Sequence, residues 1–195
     1  MKVLGTVGLP GSGKGEAAEV AREVGVPVVT MGDVIRTACR NRGLDPAEHH
    51  GSVARQLREE EGPAAIAERS LPRIESALEE SDTVLVDGLR SPVEADRFEA
   101  AFGDAFVLVS IEAPFETRAE RLSARGRDAS DIDREALRER ERRELGFGMG
   151  DVMDRADVTI ENTGSLDAFR ERIRKLLDDP VKGETNVDVD VEADT

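Results

Sequence analysis

Residues 3 to 15 have the sequence VLGTVGLPGSGKG, and the fold that we predict for the rest of the chain follows from this stretch. A short apolar run leads into a loop with glycines at positions 8, 11, 13 and 15 and a lysine at position 14. The helix-forming stretch EAAEVAREV follows at once. This order predicts a buried strand, a phosphate-binding loop and a helix.

The loop has the composition that a polyphosphate site requires. Glycine has no Cβ, so backbone N–H groups can approach phosphates closely, and Lys14 can reach the β and γ phosphates. The helix adds the positive end of its dipole. A glycine-rich turn that merely contains a lysine is the alternative, but the chain has only four lysines against 23 arginines. We expect a nucleotide to contact Gly8, Leu9, Pro10, Gly11, Ser12, Gly13, Lys14 and Gly15.

Two positions after Gly13 depart from the phosphate-loop pattern. Gly15 stands where a Ser or Thr hydroxyl normally holds Mg²⁺. Glu16 lies in the first helical turn, where the helix dipole favours a carboxylate. Glu16 is therefore either a helix-capping residue or a ligand that helps to hold Mg²⁺, directly or through water.

Composition restricts the classes of partner. A formal charge of -15 and a pI near 4.6 argue against nucleic acid or an anionic membrane, because both would be repelled. Strong acidity with few lysines predicts a halophilic surface adapted to high salt, with an ordinary acidic protein as the alternative. The single cysteine, Cys39, and the absence of a signal-peptide pattern or a long apolar run predict a cytoplasmic protein.

Five short apolar segments alternate with helical stretches and predict an α/β fold with a parallel five-stranded sheet flanked by helices. The predicted strands are residues 3–7, 26–30, 83–86, 106–111 and 157–161. At 195 residues the chain is long enough for one such domain, which we place at residues 1–177. Residues 178–195 are rich in acids and predict a disordered tail.

An inserted helical subdomain interrupts the predicted sheet. It spans residues 31–80, opens with a capping box of Thr30 and Asp33 and has breaks or kinks at Gly62-Pro63 and Leu71-Pro72. A later helix, REALRERERREL, is polar nearly all round and should face solvent.

Three polar positions directly follow predicted strands: Gly8, Asp87 and Asn162. Ligands of parallel sheets bind beyond the carboxyl ends of the strands, so these positions should share one edge. Asp87 is the natural partner for Mg²⁺ in a phosphate-loop protein, although it could also simply begin a turn.

Arg118, Arg121 and Arg125 are spaced three and four residues apart and therefore share one helix face. Clustered guanidinium groups favour a phosphate between them. Salt bridges to an acidic surface are the alternative.

With these motifs in place, the chain resembles the nucleoside monophosphate kinase group of P-loop NTPases, and within it an uncharacterised archaeal family similar to adenylate kinase and dephospho-CoA kinase. The resembling segments are GLPGSGKG at 8–15, TMGDVIR at 30–36, VDGLRS at 86–91, RGRD at 125–128 and IENTG at 160–164. The resemblance implies a three-layer sandwich with a helical acceptor-binding insertion and a small arginine-bearing lid at about residues 118–145.

The resemblance also implies roles for single residues. Asp33, Arg36 and Arg90 would bind the acceptor, and Asn162 to Gly164 would lie near the adenine. The lid residues that close over the transferred phosphoryl group would be Arg118, Arg121, Arg125 and Arg127. Departures from adenylate kinase are Glu16, where Thr is usual, and GLRS after Asp87, where GFPR is usual.

The implied activity is transfer of the ATP γ-phosphoryl group, with Mg²⁺, to a small nucleotide-like or phosphorylated acceptor. The catalytic residues would be Lys14, Asp87 and the lid arginines, and the metal ligands Asp87 and Glu16. A nucleotide-dependent regulatory ATPase module without a small-molecule acceptor is the alternative.

Overall fold

The computed structural model describes residues 1–125 and 133–179, which fold around a five-stranded parallel sheet of order β2-β3-β1-β4-β5. The strands are β1 (Lys2–Val7), β2 (Val28–Thr30), β3 (Thr83–Asp87), β4 (Phe106–Glu112) and β5 (Val158–Glu161). This confirms the predicted fold class, and each strand lies within two residues of its predicted bounds. Arg127 of the predicted lid lies outside the described residues, as does the predicted tail from residue 180 onward.

Helices follow the strands on both sides of the sheet. Their bounds are α1 (Lys14–Glu23), α2 (Met31–Asn41), α3 (Pro46–Glu61), α4 (Ala65–Glu80), α5 (Pro92–Phe102), α6 (Phe115–Arg125), α7 (Arg134–Gly146), α8 (Met149–Asp154) and α9 (Leu166–Asp178). A 3₁₀ turn, Gly103–Ala105, leads from α5 into β4. No helix among these described stretches is both long enough and apolar enough to cross a membrane.

Both faces of the sheet are covered, which is why its strands read as continuous apolar runs. One core lies between the sheet and the helices α2 to α5 and α8, and it contains the fully buried Phe98. The other lies between the sheet, α1 and α9, where Phe169 and Ile173 contact the opposite face. The result is the three-layer sandwich expected from the sequence.

Some local expectations are wrong. Thr30 precedes α2 but its side chain makes no capping hydrogen bond, and Asp33 instead accepts a hydrogen bond from Arg36 at 2.8 Å. At Leu71-Pro72, where a break or a kink was expected, α4 is not broken, because the buried residues Leu71 and Ile74 continue to pack against the core. The break at Gly62-Pro63 is present, since α3 ends at Glu61 and α4 begins at Ala65.

The helix α7 also differs from its predicted role. Its sequence is polar almost all round, yet Leu137 and Glu144 are buried. Asp133 caps its first turn by accepting a hydrogen bond from the Glu135 N–H at 2.9 Å. One face of α7 therefore packs inward beside the carboxyl edge of the sheet.

Candidate functional site

A cavity of about 740 Å³ lies beyond the carboxyl ends of β1, β3 and β5. Gly8, Asp87 and Asn162 all line it, as the strand order predicts. The other lining residues come from residues 10–16, the segment after β3, α6, α7, α8 and the start of α9. Leu9 is not part of the lining, because its side chain packs against the core below the loop.

The loop of residues 8–15, hereafter the phosphate loop, is packed tightly from behind. A Cβ on Gly13, whose φ is 123°, would lie 2.4 Å from Nδ2 of Asn162. That Nδ2 donates a hydrogen bond to the Ser12 carbonyl at 2.8 Å. A Cβ on Gly11 would lie 2.7 Å from the Arg118 carbonyl. Glycine is thus required at these positions both for the backbone conformation and for the approach of β5 and α6.

Lys14 is partly buried at the start of α1, and its ammonium group turns back onto the loop. Its Nζ donates hydrogen bonds to the Gly8 carbonyl and, at 3.2 Å, to the Leu9 carbonyl. Burial lowers the pKa of Lys14 to about 8, and the nearby Asp87 carboxylate opposes this shift. A desolvated ammonium group held by carbonyl oxygens would gain from an added anion.

Asp87 ends β3 on the side of the cavity that faces Lys14. One of its carboxylate oxygens accepts a hydrogen bond from the Thr6 hydroxyl at 3.3 Å. A single carboxylate beside a polyphosphate site is the donor set that Mg²⁺ typically uses, with phosphate oxygens and waters completing the shell. Within residues 1–125 and 133–179, no cluster of three or more His, Cys, Asp or Glu side chains provides a full protein cage. The residues therefore fit a metal that arrives with a nucleotide.

Glu16 lines the same cavity but already has a cationic partner. One of its carboxylate oxygens accepts a hydrogen bond from Arg170 of α9, which also pairs with Glu23. The side chain is about one-third exposed, at 30%. Any metal bound at Glu16 would have to share this carboxylate with Arg170.

Arg118 and Arg121 of α6 have different surroundings. Arg118 is buried and lies outside the cavity lining, where its guanidinium contacts the Pro10 carbonyl at 3.1 Å and Glu141 of α7 at 3.0 Å. Arg121 lines the cavity and donates to the Asn162 carbonyl at 3.0 Å. Arg125 is the last residue of α6.

Two buried polar atoms in this region have no hydrogen-bond partner among the described residues: Oγ of Ser12 and Nη1 of Arg121. Both residues line the cavity. A buried polar group without a partner is costly, so a water or a ligand that reached either atom would stabilise it.

An acidic residue that the sequence did not reveal lies within the site. Glu144 of α7 is buried and lines the cavity, with contacts at 3.3 Å to both Arg90 and Arg140. Its charge also acts on Lys14. No pattern could have distinguished Glu144, since α7 carries charges on every side.

The predicted acceptor residues fall into two groups. Arg90 lines the cavity. Asp33 and Arg36 lie outside the lining, at the start of α2, where they form an ion pair of 2.6 Å. Gly164, predicted to lie near a base, lines the cavity beside Asn162.

Comparison with known proteins identifies the family and the fold of this chain. The family model AAA_17, described as an AAA domain, matches residues 7–138. A UPF0200 protein of Halobacterium salinarum is 59% identical over 177 residues, which cover 91% of this chain and 93% of that protein. A UPF0200/UPF0201 protein of Archaeoglobus fulgidus is 49% identical over 98% of this chain, which spans only 58% of that longer protein.

Solved structures with low sequence identity share the fold. TT1252 from Thermus thermophilus has a TM-score of 0.63 at 21% identity and covers 90% of this chain and 96% of its own. Shikimate kinase from Bacteroides thetaiotaomicron has a TM-score of 0.52 at 14% identity, over 90% of this chain and 98% of its own. With its phosphate loop, its five-stranded parallel sheet and these relatives, the chain belongs to the archaeal UPF0200 family and has the P-loop NTPase fold.

Proposed function

We propose that this protein is an ATP-dependent phosphotransferase that moves the γ-phosphoryl group to a small phosphorylated or nucleotide-like acceptor. One observation carries the proposal. Lys14, Asp87, Arg90 and Arg121 line a single cavity at the carboxyl edge of the sheet. Phosphoryl transfer is catalysed mainly by positioning and charge neutralisation, which this set of groups supplies.

ATP would bind along the phosphate loop. Its β and γ phosphates would replace the Gly8 and Leu9 carbonyls as partners of the Lys14 ammonium group. Ser12 and Arg121, which line the cavity, would donate to phosphate oxygens. Asn162 and Gly164, at the start of the segment after β5, would lie near the adenine.

Mg²⁺ would neutralise charge on the β and γ phosphates, as in other phosphate-loop enzymes. Asp87 would hold it, and Glu16 is the second candidate ligand because it lines the same cavity. Gly15 offers no hydroxyl at the position where the phosphate-loop pattern usually provides one.

The acceptor would bind beside Asp33, Arg36 and Arg90. Its oxygen would attack the γ-phosphorus as the bond to the bridging oxygen breaks, and ADP would leave. Arg121, Arg125 and Arg127 would stabilise the transferred phosphoryl group, whereas Arg118 would act indirectly by fixing the phosphate loop through Pro10.

The test is ADP release from ATP and Mg²⁺ with a panel of nucleoside monophosphates, dephospho-CoA and small metabolites. We expect one acceptor class to stimulate release and Lys14→Ala to abolish it, while Lys175→Ala, at the exposed last turn of α9, leaves it unchanged. ADP release that no acceptor stimulates would instead favour a regulatory ATPase.

Binding of ATP is tested separately by thermal stability. ATP should stabilise the wild type by about 2.7 kcal/mol at a hundredfold excess over its dissociation constant, and most of this should be lost in Lys14→Ala. Equal stabilisation of both proteins would overturn the proposal.

A further inference from the structure

Three arginines and a histidine lie near one another around the start of α2, and one of them, Arg90, lines the cavity. A Cβ built on Gly32 would lie 3.2 Å from Nη1 of Arg36 and 3.6 Å from Nε2 of His50, so both groups meet at this glycine. The charges of Arg36, Arg58 and Arg90 all act on His50. Three guanidinium groups thus act on one imidazole in a chain whose net charge is -15.

Carboxylates hold the three arginines in place. Each guanidinium pairs with one acid: Arg36 with Asp33 at 2.6 Å, Arg58 with Glu94 at 3.1 Å and Arg90 with Glu144 at 3.3 Å. Glu94 is almost fully buried and also accepts a hydrogen bond from the backbone N–H of Arg90 at 2.8 Å. The segment that carries Arg90 is therefore fixed relative to α3.

His50 is the group in this cluster that can change its charge near neutral pH. Burial and the charges of Arg90, Arg36 and Arg58 hold its pKa below the ordinary value, and a hydrogen bond with the Gly32 backbone acts in the opposite direction. The imidazole is therefore neutral at pH 7. An anion with two negative charges would offset the arginines and favour the imidazolium.

We propose that His50 is a specificity-determining residue for the acceptor, and that it recognises a phosphate dianion together with Arg36 and Arg90, taking up one proton from solvent when the dianion binds. This inference rests on the proposed function, because it names the chemical class of the acceptor as a phosphomonoester. The second ionisation of a phosphomonoester lies near pH 6, so the dianion is the main form at neutral pH. A carboxylate, with one negative charge, would offset the arginines less and is the disfavoured alternative.

The chain has only two histidines, His49 and His50, which gives the test an internal reference. His49 lies on the same helix, near Glu48 at 3.9 Å. The imidazole resonances of the wild type are followed by NMR as the pH is changed, first alone, then with inorganic phosphate, then with AMP. We expect saturation with either probe to raise the titration midpoint of His50 by about one pH unit or more and to leave His49 unmoved.

Inorganic phosphate tests the anion alone, and AMP tests whether a nucleoside adds affinity. His50→Gln should weaken AMP binding about tenfold, the loss expected for a hydrogen bond to a charged group, while the matched variant His49→Gln binds like the wild type. Melting temperatures of both variants with and without ATP check that the fold and the nucleotide site persist.

An unmoved His50 resonance at saturation, a failure of both probes to bind, or equal effects of the two variants would overturn the inference. These outcomes are separate from the test of the proposed function. Loss of the His50 response with acceptor-stimulated ADP release intact removes only the role of His50. A His50 response without any ADP release leaves an anion site on a protein that is not a kinase.

Discussion

Lys14 is the residue at which burial and charge conflict most strongly. In the free protein its pKa is about 8, lowered mainly by burial. Its unfolded-state pKa is higher, near the ordinary 10.5, so the unfolded chain binds more protons between these two values. Stability of the free protein should therefore gain a contribution from Lys14 as the pH rises from about 8 towards 10.5.

ATP affinity should show the opposite dependence. Binding to the triphosphate requires the ammonium form, which the free protein loses above about pH 8. We expect the dissociation constant for ATP to be flat below that pH and to rise by about tenfold per pH unit above it. Calorimetric titrations between about pH 6.5 and 9.5 measure this on both sides of the Lys14 pKa, with Lys14→Arg as a control that keeps its charge. A constant affinity across the range would mean that Lys14 does not contact the phosphates.

Glu16 allows a direct test of metal binding. If it helps to hold Mg²⁺, Glu16→Gln should weaken binding of Mg-ATP while metal-free ATP binds equally well or more tightly, because a repulsive carboxylate is removed. Titrations with and without Mg²⁺ decide between this role and capping. Parallel changes in the two affinities would assign Glu16 to the helix start and to its ion pair with Arg170.

Substitutions at Gly15 provide a second test of metal binding at this position. A Cβ on Gly15 would meet no atom within 4 Å, so a side chain fits there. Gly15→Ser supplies the hydroxyl that the phosphate-loop pattern expects, and Gly15→Ala supplies the same Cβ without it. In the Glu16→Gln background, Ser but not Ala should restore tight Mg-ATP binding.

Some site residues could be predicted from the sequence and others could not. Gly13, Lys14 and Asp87 are identified by spacing and by their position after a strand, which are features of local sequence. Glu144 and His50 are not, because burial of a charged side chain depends on which helix face packs inward. In a helix charged on every side, that choice is made by distant contacts.

At the level of elements, α6 assigns two arginines to two different tasks. Arg118 connects α6 to the phosphate loop and to α7, whereas Arg121 contacts Asn162 and lines the cavity. Arg118→Ala should lower the free energy of unfolding by about 3 kcal/mol, because it leaves Glu141 and a loop carbonyl without their buried partner. Arg121→Ala should cost less, about 1 kcal/mol, but should remove most of the stabilisation by ATP.

Denaturant unfolding with and without ATP separates the two effects. Arg138→Ala is a suitable control, since Arg138 is half-exposed and contacts the Phe115 ring at 4.7 Å and Glu135 at 3.9 Å. If Arg118→Ala and Arg121→Ala lowered stability and ATP binding in the same proportion, the division of tasks along α6 would be wrong.

Element boundaries show where local signals are sufficient. The central strands β1, β3 and β4 were predictable because each is a short apolar run that the sheet buries on both faces. Helix caps and kinks were less predictable. Thr30 and Asp33 match a capping box, yet the Asp33 carboxylate accepts a hydrogen bond from Arg36, one turn later. Pro72 lies within α4 because its neighbours are buried against the core.

The whole molecule carries a charge of -15, spread over a surface with few lysines. If this is an adaptation to salt, screening should relieve repulsion among carboxylates, since the Debye length falls from about 30 Å at 0.01 M to about 3 Å at 1 M. We expect the melting temperature to rise markedly between about 0.1 and 2 M KCl, a range over which screening becomes strong. The same KCl series on Arg170→Ala tests whether ion pairs act in the opposite direction, so that their screening lowers the melting temperature. A flat response in the wild type would make the composition that of an ordinary acidic protein.

The central position of β1 has a consequence for the order in which the chain can fold. Lys2 of β1 pairs with Thr83, and Val3 of β1 pairs with Phe106. The first strand to be synthesised can therefore pair only after residues far downstream have been made. Such long-range pairing slows folding and leaves strand edges open during synthesis. The contacts of the phosphate loop are completed later still, because Asn162 donates the hydrogen bond that holds the Ser12 carbonyl. A nucleotide bound at this loop would therefore assist only the last step of folding, after β5 has joined the sheet.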